Sequence, residues 1–469
     1  MGKLKSVSTA SFAAIFAMVS LSACELVQPS TSIKLSQTSP SGSPSDPGTG
    51  SGNGSGSGNG GGGGSGSGGG GGGGGTTLSS YSFPDLPVAP TPSGHVLTVG
   101  SGKMYASPCA AIAAAANNDT IQIDAGTYVE TCYISKNGLT IRGPATTGSP
   151  TVIMDSHTVR PAGCKGIFVV SGNDTVIENI AFTGATLNPG DPWVANSSCS
   201  ADMNGAGIRM EGTNITIRNC SFTLNDDGIL AGVNTASSFL IENSYFSQNS
   251  SDSYSHNLYI GEVANLTFRY NYSTNTRHDG HLLKSRAQHN YIYNNRLTGE
   301  AGFDSYEINL PNAGESYVIG NIIQQTSNTG NSGIIDFGSE GYTAGHDTHL
   351  YVVNNTILND RGSGNIVQVA NGGTAVIKNN AIVGGGTLIN NMANLASQAS
   401  NYVGNSPMFT DKANFNLKPL AGSPLIHTAA DPGIVNNYSL LPVNEYVHQQ
   451  SAKSRNNTSG LDIGAISSN

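Results

Sequence analysis

Gly207-Ile208-Arg209-Met210-Glu211, Asn257-Leu258-Tyr259-Ile260-Gly261, Leu282-Leu283-Lys284-Ser285-Arg286, Glu307-Ile308-Asn309-Leu310-Pro311 and Ile334-Ile335-Asp336-Phe337-Gly338 are five copies of one short motif. The second and fourth positions are mostly apolar, and the third is Arg209, Tyr259, Lys284, Asn309 or Asp336. Side chains alternate across a strand, so the apolar positions face a core and the third position faces out. If the copies stack as parallel strands, their third positions form a column with a rung about every 4.8 Å.

A second repeat runs beside the first. Ile177-Glu178-Asn179, Ile217-Arg218-Asn219 and Ile241-Glu242-Asn243 recur as Ile292-Tyr293-Asn294, Ile319-Gly320-Asn321, Val352-Val353-Asn354 and Ile377-Lys378-Asn379. Three residues after each Asn stands Phe, Leu or Ile, with Gln324 the exception. A period in the twenties, with short β runs and Asn at fixed turns, marks a solenoid. Stacked Asn side chains bonding from coil to coil would explain Asn at the turn. The Leu/Asn consensus of a leucine-rich repeat is absent.

These repeats resemble the right-handed parallel β-helix of the pectate-lyase-like superfamily over nearly all of residues 95–469. The resemblance implies an all-β solenoid. The run from Cys109 to Ala115 and then Asp119 to Tyr128 looks like that superfamily's N-terminal cap, a short helix over the first open coil. Ser423-Pro424-Leu425-Ile426 and Asp462-Ile463-Gly464-Ala465 resemble its closing segment.

The chain opens with Lys3, Lys5 and an apolar run from Phe12 to Leu21, too short to span a bilayer. Leu21-Ser22-Ala23-Cys24 resembles a bacterial lipobox, which implies a signal of residues 1–24 and lipidation of Cys24. Glu25 beside it points to the outer membrane of a Gram-negative cell. Residues 25–80, mostly Gly and Ser from about Ser36, read as a flexible tether, and 81–469 as one β-helix domain. Charged residues are 11% and net charge is −9, which excludes nucleic acid as a partner and suits an exported protein. Export permits disulfides, and we pair Cys109 with Cys132 and Cys164 with Cys199, leaving Cys220 buried. A capped solenoid is expected to be monomeric.

Residues 254–341 hold the densest chemistry: Tyr254, His256, Tyr259, His278, Asp279, His281, Lys284, Arg286, Tyr306, Glu307, Asn309, Asp336 and Glu340. Lys284 falls between Tyr259 and Asn309, with Arg286 about 6–7 Å along the same face. His256, His281 and Tyr306 share the slot before the strand, and Glu307 is placed on the outer face. β-Elimination on a uronic-acid polymer needs a neutralised carboxylate, a base for the C5 proton and an acid for the leaving oxygen. Lys284 crowded by Arg286 fits the base, Arg286 or Asn309 the carboxylate, and Tyr259 or His281 the acid. His256, Glu307, Asn309, Asp336, Glu340 and Arg209 are expected to bind the polysaccharide. A C5-epimerase would use the same first half.

Three other readings stay open. Lys284 with Asp336 or Glu307, and Arg286 with Glu340, could form a structural ion-pair ladder on a glycan-binding or scaffold protein. Asn225-Asp226-Asp227-Gly228 resembles the carboxylate segments of polygalacturonases, although the family's Gly-His-Gly and Arg-Ile-Lys segments are missing. His256, His278 and His281 lack the spacing of a zinc site, and His278, Asp279 and His289 read as loop residues. No cofactor is required; calcium helps many members of the superfamily, and Asp226, Asp227 or Asp336 could bind it, but no calcium loop is present.

Overall fold

The computed structural model describes residues 91–469 except 196–198, 200–203, 253 and 391–393. The signal-like segment, Cys24 and the Gly/Ser-rich stretch lie outside the described residues. The chain from Val96 winds through coils that each add one strand to three parallel sheets of twelve, ten and eleven strands. Pairing joins each strand to the equivalent strand of the next coil, giving a right-handed parallel β-helix. Among the described residues no helix is long and apolar enough to cross a membrane.

The coil bends where the backbone turns left-handed. Asn179, Asn219, Asn243, Asn294, Asn354 and Asn379 all have φ between 48° and 59°, a conformation Asn tolerates better than most residues. The same position is Tyr270 (φ 60°) in a coil the Asn repeat skips, and Gly320 (φ 70°) in the next but one. This corrects the alignment at Ile319-Gly320-Asn321: Gly320 takes the turn and Asn321 sits one residue further on. The exception at Gln324 then disappears, because Ile323 pairs with Leu297 and Ile357 in the core and is fully buried.

At the turn itself Asn219 bonds Asn179 at 2.7 Å and Asn379 bonds Asn354 at 3.2 Å, but the continuous Asn ladder runs at the residue after the turn. Asn271, Asn295, Asn321, Asn355, Asn380 and Asn401 run inside the coils. Each Oδ1 after the first accepts both the backbone N–H and the side-chain amide of the preceding Asn at 2.9–3.1 Å. Above the earlier coils the same interior holds Phe182, Phe222, Phe246 and Phe268, with centroids 5.2, 4.8 and 5.9 Å apart. Each buried ring is worth roughly 1.5–3 kcal/mol in surface removed from water.

Both ends are closed. The helix Pro108–Ala114 covers the first coil, with the Ser107 side chain capping the Ala110 N–H. A Cys109–Cys132 disulfide ties it down, Cys164 bonds Cys199, and Cys220 is free and buried. At the other end the C-terminal segment turns back along the outside as three small hairpins. The turn amides of Asn243, Asn294, Asn354 and Asn379 donate to its carbonyls at Gln450, Asn444, Asp462 and Ala430.

Candidate functional site

The outer face of the ten-stranded sheet carries the column. In register it runs Tyr133, Val169, Arg209, Leu230, Tyr259, Lys284, Asn309, Asp336, Gln368. Leu230 belongs to a coil the motif alignment left out, so Arg209 stands two rungs from Tyr259. Arg209 donates to Asn204 at 3.0 Å and lies 3.8 Å from Glu211. It is separate from the cluster that follows.

Lys284 and Arg286 point to one side and share Glu340. The Lys284 ammonium donates to one carboxylate oxygen at 3.1 Å and Arg286 to the other at 2.6 Å. Arg286 also donates to the Tyr259 hydroxyl at 2.9 Å and to Asn312. Both cations lie beside the Tyr259 ring, 5.6 and 5.7 Å from its centroid. Burial opposes the charge on Glu340, but hydrogen bonds from Arg286 and Lys284 outweigh it and hold the carboxyl below its ordinary range. Of the ion pairs the sequence suggested, Arg286 with Glu340 forms. Lys284 is paired with the same carboxylate and not with Asp336 or Glu307.

His256, His281 and Tyr306 stack in the slot beside this column. The imidazoles are 4.6 Å apart and nearly parallel, and Tyr306 lies 5.4 Å beyond. The Nδ1 of His256 accepts the His281 N–H, and the Nδ1 of His281 accepts the Tyr306 N–H. Each ring must therefore carry its proton on Nε2. Burial, then the Lys284 charge, hold His281 down at about 3, and burial with His281 pushes His256 well below the usual value. Both are neutral hydrogen-bond donors at ordinary pH, so His281 is not a store of an acidic proton.

Glu307 is not on the outer face. It is fully buried, as are Asn257 and Leu282 at the equivalent point of the two preceding coils. The strand begins only at Ile308, and alternation does not extend into the turn before it. Burial, then the nearby Asp304, raise the Glu307 carboxyl well above its ordinary range. Substrate cannot reach it.

Asn309 and Asp336 form the lower part of the column but are both buried, so neither is open to a polymer as the sequence suggested. Asn309 donates to Asp336 at 2.7 Å, and the Ser339 hydroxyl donates to the same oxygen at 2.6 Å. Gln368, one rung on, contacts the other Asp336 oxygen at 3.3 Å and the Tyr306 hydroxyl at 3.4 Å. Burial pushes Asp336 up to about 6. Gln368, Ser339 and Asn312 were missed in the sequence. Ile366-Val367-Gln368-Val369-Ala370 continues the motif and would have given Gln368; the other two lie in turns with no repeat to mark them.

Asp226 and Asp227 are both buried and both raised, chiefly by burial, so they present no open pair to a glycosidic bond. Asp227 accepts the His256 N–H at 2.8 Å. Tyr254 is exposed. His289 is a strand residue, contrary to the loop reading, and pairs with Glu315 at 3.1 Å. Among the described residues no group of three or more His, Cys, Asp or Glu is placed to hold a metal ion.

A family model described as a right-handed β-helix region matches residues 146–285. The structure is similar to that of pectate lyase Pel9A, at 16% identity and a TM-score of 0.53, covering 80% of this chain and 97% of that one. It also matches an alginate lyase from Paenibacillus sp. str. FPU-7 at 14% identity and a TM-score of 0.42, covering 64% and 99%. At these identities the likeness is one of fold. No curated protein sequence matches the chain.

Proposed function

We propose that the protein acts on an acidic polysaccharide by removing the C5 proton of a uronate, as a lyase or a C5-epimerase. The observation that carries this reading is Glu340, a carboxylate seated across Lys284 and Arg286, the second of which also holds the Tyr259 hydroxyl. The carboxylate of Glu340 stands where a uronate carboxylate would bind.

In this account the substrate carboxylate displaces Glu340 and is held by Arg286, which neutralises it and makes C5–H more acidic. With Glu340 displaced, the Lys284 amine is the group that takes the C5 proton. The Tyr259 oxygen accepts from Arg286 Nε, so its own hydrogen is free to be donated. In a lyase that proton goes to O4 as the C4–O bond breaks and a C4–C5 double bond forms. In an epimerase a proton returns to C5 from the opposite face. Gln368, one rung beyond the buried Asn309 and Asp336, would contact the next sugar along the column. The lipobox-like Cys24 and the Gly/Ser-rich stretch support a lipid-anchored protein held off the outer membrane. The fold of the pectate lyase neighbour is compatible with such chemistry and does not by itself assign it.

The test is ultraviolet absorbance of unsaturated uronate after incubation with a panel of acidic polysaccharides, with and without calcium, beside Lys284→Ala. Deuterium uptake at C5 without cleavage would identify an epimerase. If no polymer gives either signal, the enzymatic reading is wrong. A second reading, a non-catalytic glycan binder, is supported by the mutual neutralisation of Lys284, Arg286 and Glu340. It predicts a Lys284→Ala variant that still holds its ligand.

A further inference from the structure

On the other side of the solenoid, the left-handed turns of successive coils line up as a ridge of Asn amides between the twelve- and eleven-stranded sheets. From Asn379 back to Asn243 the C-terminal segment covers this ridge, and four of its carbonyls accept from those amides. The cover ends at the hairpin Asn444–Val447 and Ser451–Ser454. Beyond its tip, Asn219 and Asn179 continue the ridge into a cleft of about 590 Å³. The hairpin tip walls one side and Thr146 to Gly148 the other.

We propose that this cleft binds a neutral oligosaccharide. Its volume falls within the range of small-ligand pockets, about 300–1,000 Å³. No lining side chain is aliphatic; amides, hydroxyls, an imidazole and the ion-paired Glu178 and Arg218 make up the wall. Arg218 is held by Glu178 at 3.2 Å and by Glu242 at 2.6 Å, so its charge is spent and an anion finds no free cation there. Asn219 donates to Asn179 at 2.7 Å and accepts from Gln450 at 3.3 Å, which fixes these amides as a rigid edge. Gln449 makes no side-chain hydrogen bond among the described residues and stands at the rim. Donors and acceptors repeat with the coil spacing of about 4.8 Å. Such an edge matches the paired hydroxyls of successive sugars, whereas a peptide's side chains would find no apolar recess. The cleft and the Lys284 cluster belong to different faces of the coil, and this inference does not depend on the chemistry proposed for that cluster.

Calorimetric titration of the full chain with neutral gluco-, galacto- and manno-oligosaccharides tests it. The expected result is binding with Kd near or below about 1 mM, weakened about tenfold or more by Thr147→Trp, which fills the cleft from its exposed rim. Gln449→Ala, which adds no bulk, is expected to weaken it too, while Lys284→Ala leaves it unchanged. The proposal is overturned if none of these sugars binds at millimolar concentration. It is equally overturned if binding survives both cleft variants, or if an extended peptide binds there and the sugars do not.

Discussion

The inner Asn ladder and the outer column are built on the same repeat and obey opposite rules. Inside, Asn271 to Asn401 place one residue type at six successive coils, each bonded to the next in the same way. Outside, Tyr259, Lys284, Asn309, Asp336 and Gln368 place a different residue at every rung of an equally strict register. Identity that repeats solves a problem every coil shares, the burial of turn amides and carbonyls with partners for each. Varied side chains in fixed register solve a problem found at one place only. The wall nearer the N-terminus, with Val169 and Leu230, shows that the register alone supplies no chemistry.

The largest expected effect separates the two at Lys284. Lys284→Ala should lower turnover about a thousandfold, as loss of a proton-transfer group does. Its stability should change by no more than about 1 kcal/mol, since it ends a partly exposed ion pair. Steady-state rates and urea unfolding measure both. Asn321→Leu should do the reverse. It leaves the Asn295 backbone and side-chain N–H groups and the Ile292 carbonyl without partners, and should cost about 3 kcal/mol or more with turnover per folded molecule intact.

Glu340→Gln should free both cations and tighten binding of a short oligouronate about tenfold; unchanged or weaker binding would remove Glu340 as the stand-in for substrate. A smaller effect concerns pH. Asp336 binds its proton more tightly when folded, with a value near 6 against about 4 for the unfolded chain. Its contribution to stability is therefore greatest below about 4 and declines as pH rises through about 6. Asp336→Asn should flatten that part of a stability–pH curve measured by urea unfolding. The smallest effect is at Arg209, whose change to Ala should leave turnover unaltered because Leu230 separates it from Tyr259.

The solenoid and its outer register were legible because strand alternation and coil period are local rules that five motif copies repeat. The Asn ladder was legible in kind, but its continuous run lies one residue on from the turn, because the pairs Asn294-Asn295, Asn354-Asn355 and Asn379-Asn380 offer two Asn per coil and only the left-handed φ of the first separates them. Glu307 was misplaced because alternation was carried past the start of its strand. The meeting of Lys284 and Arg286 on Glu340 could be seen only in part. It joins residues 56 and 54 positions apart through a loop that no repeat governs. The tautomer of His281 depends on a backbone N–H one coil away, which no spacing in the sequence reveals.

The most direct measurement compares Lys284→Ala and Asn321→Leu side by side, scoring turnover on the polysaccharide found active and the urea midpoint of each. The account predicts a crossed result: lost turnover with a nearly native midpoint in the first, a lowered midpoint with turnover per folded molecule retained in the second. If Lys284→Ala lowers the midpoint as Asn321→Leu does, or leaves turnover intact, the outer column is scaffold and the division between the two faces is wrong.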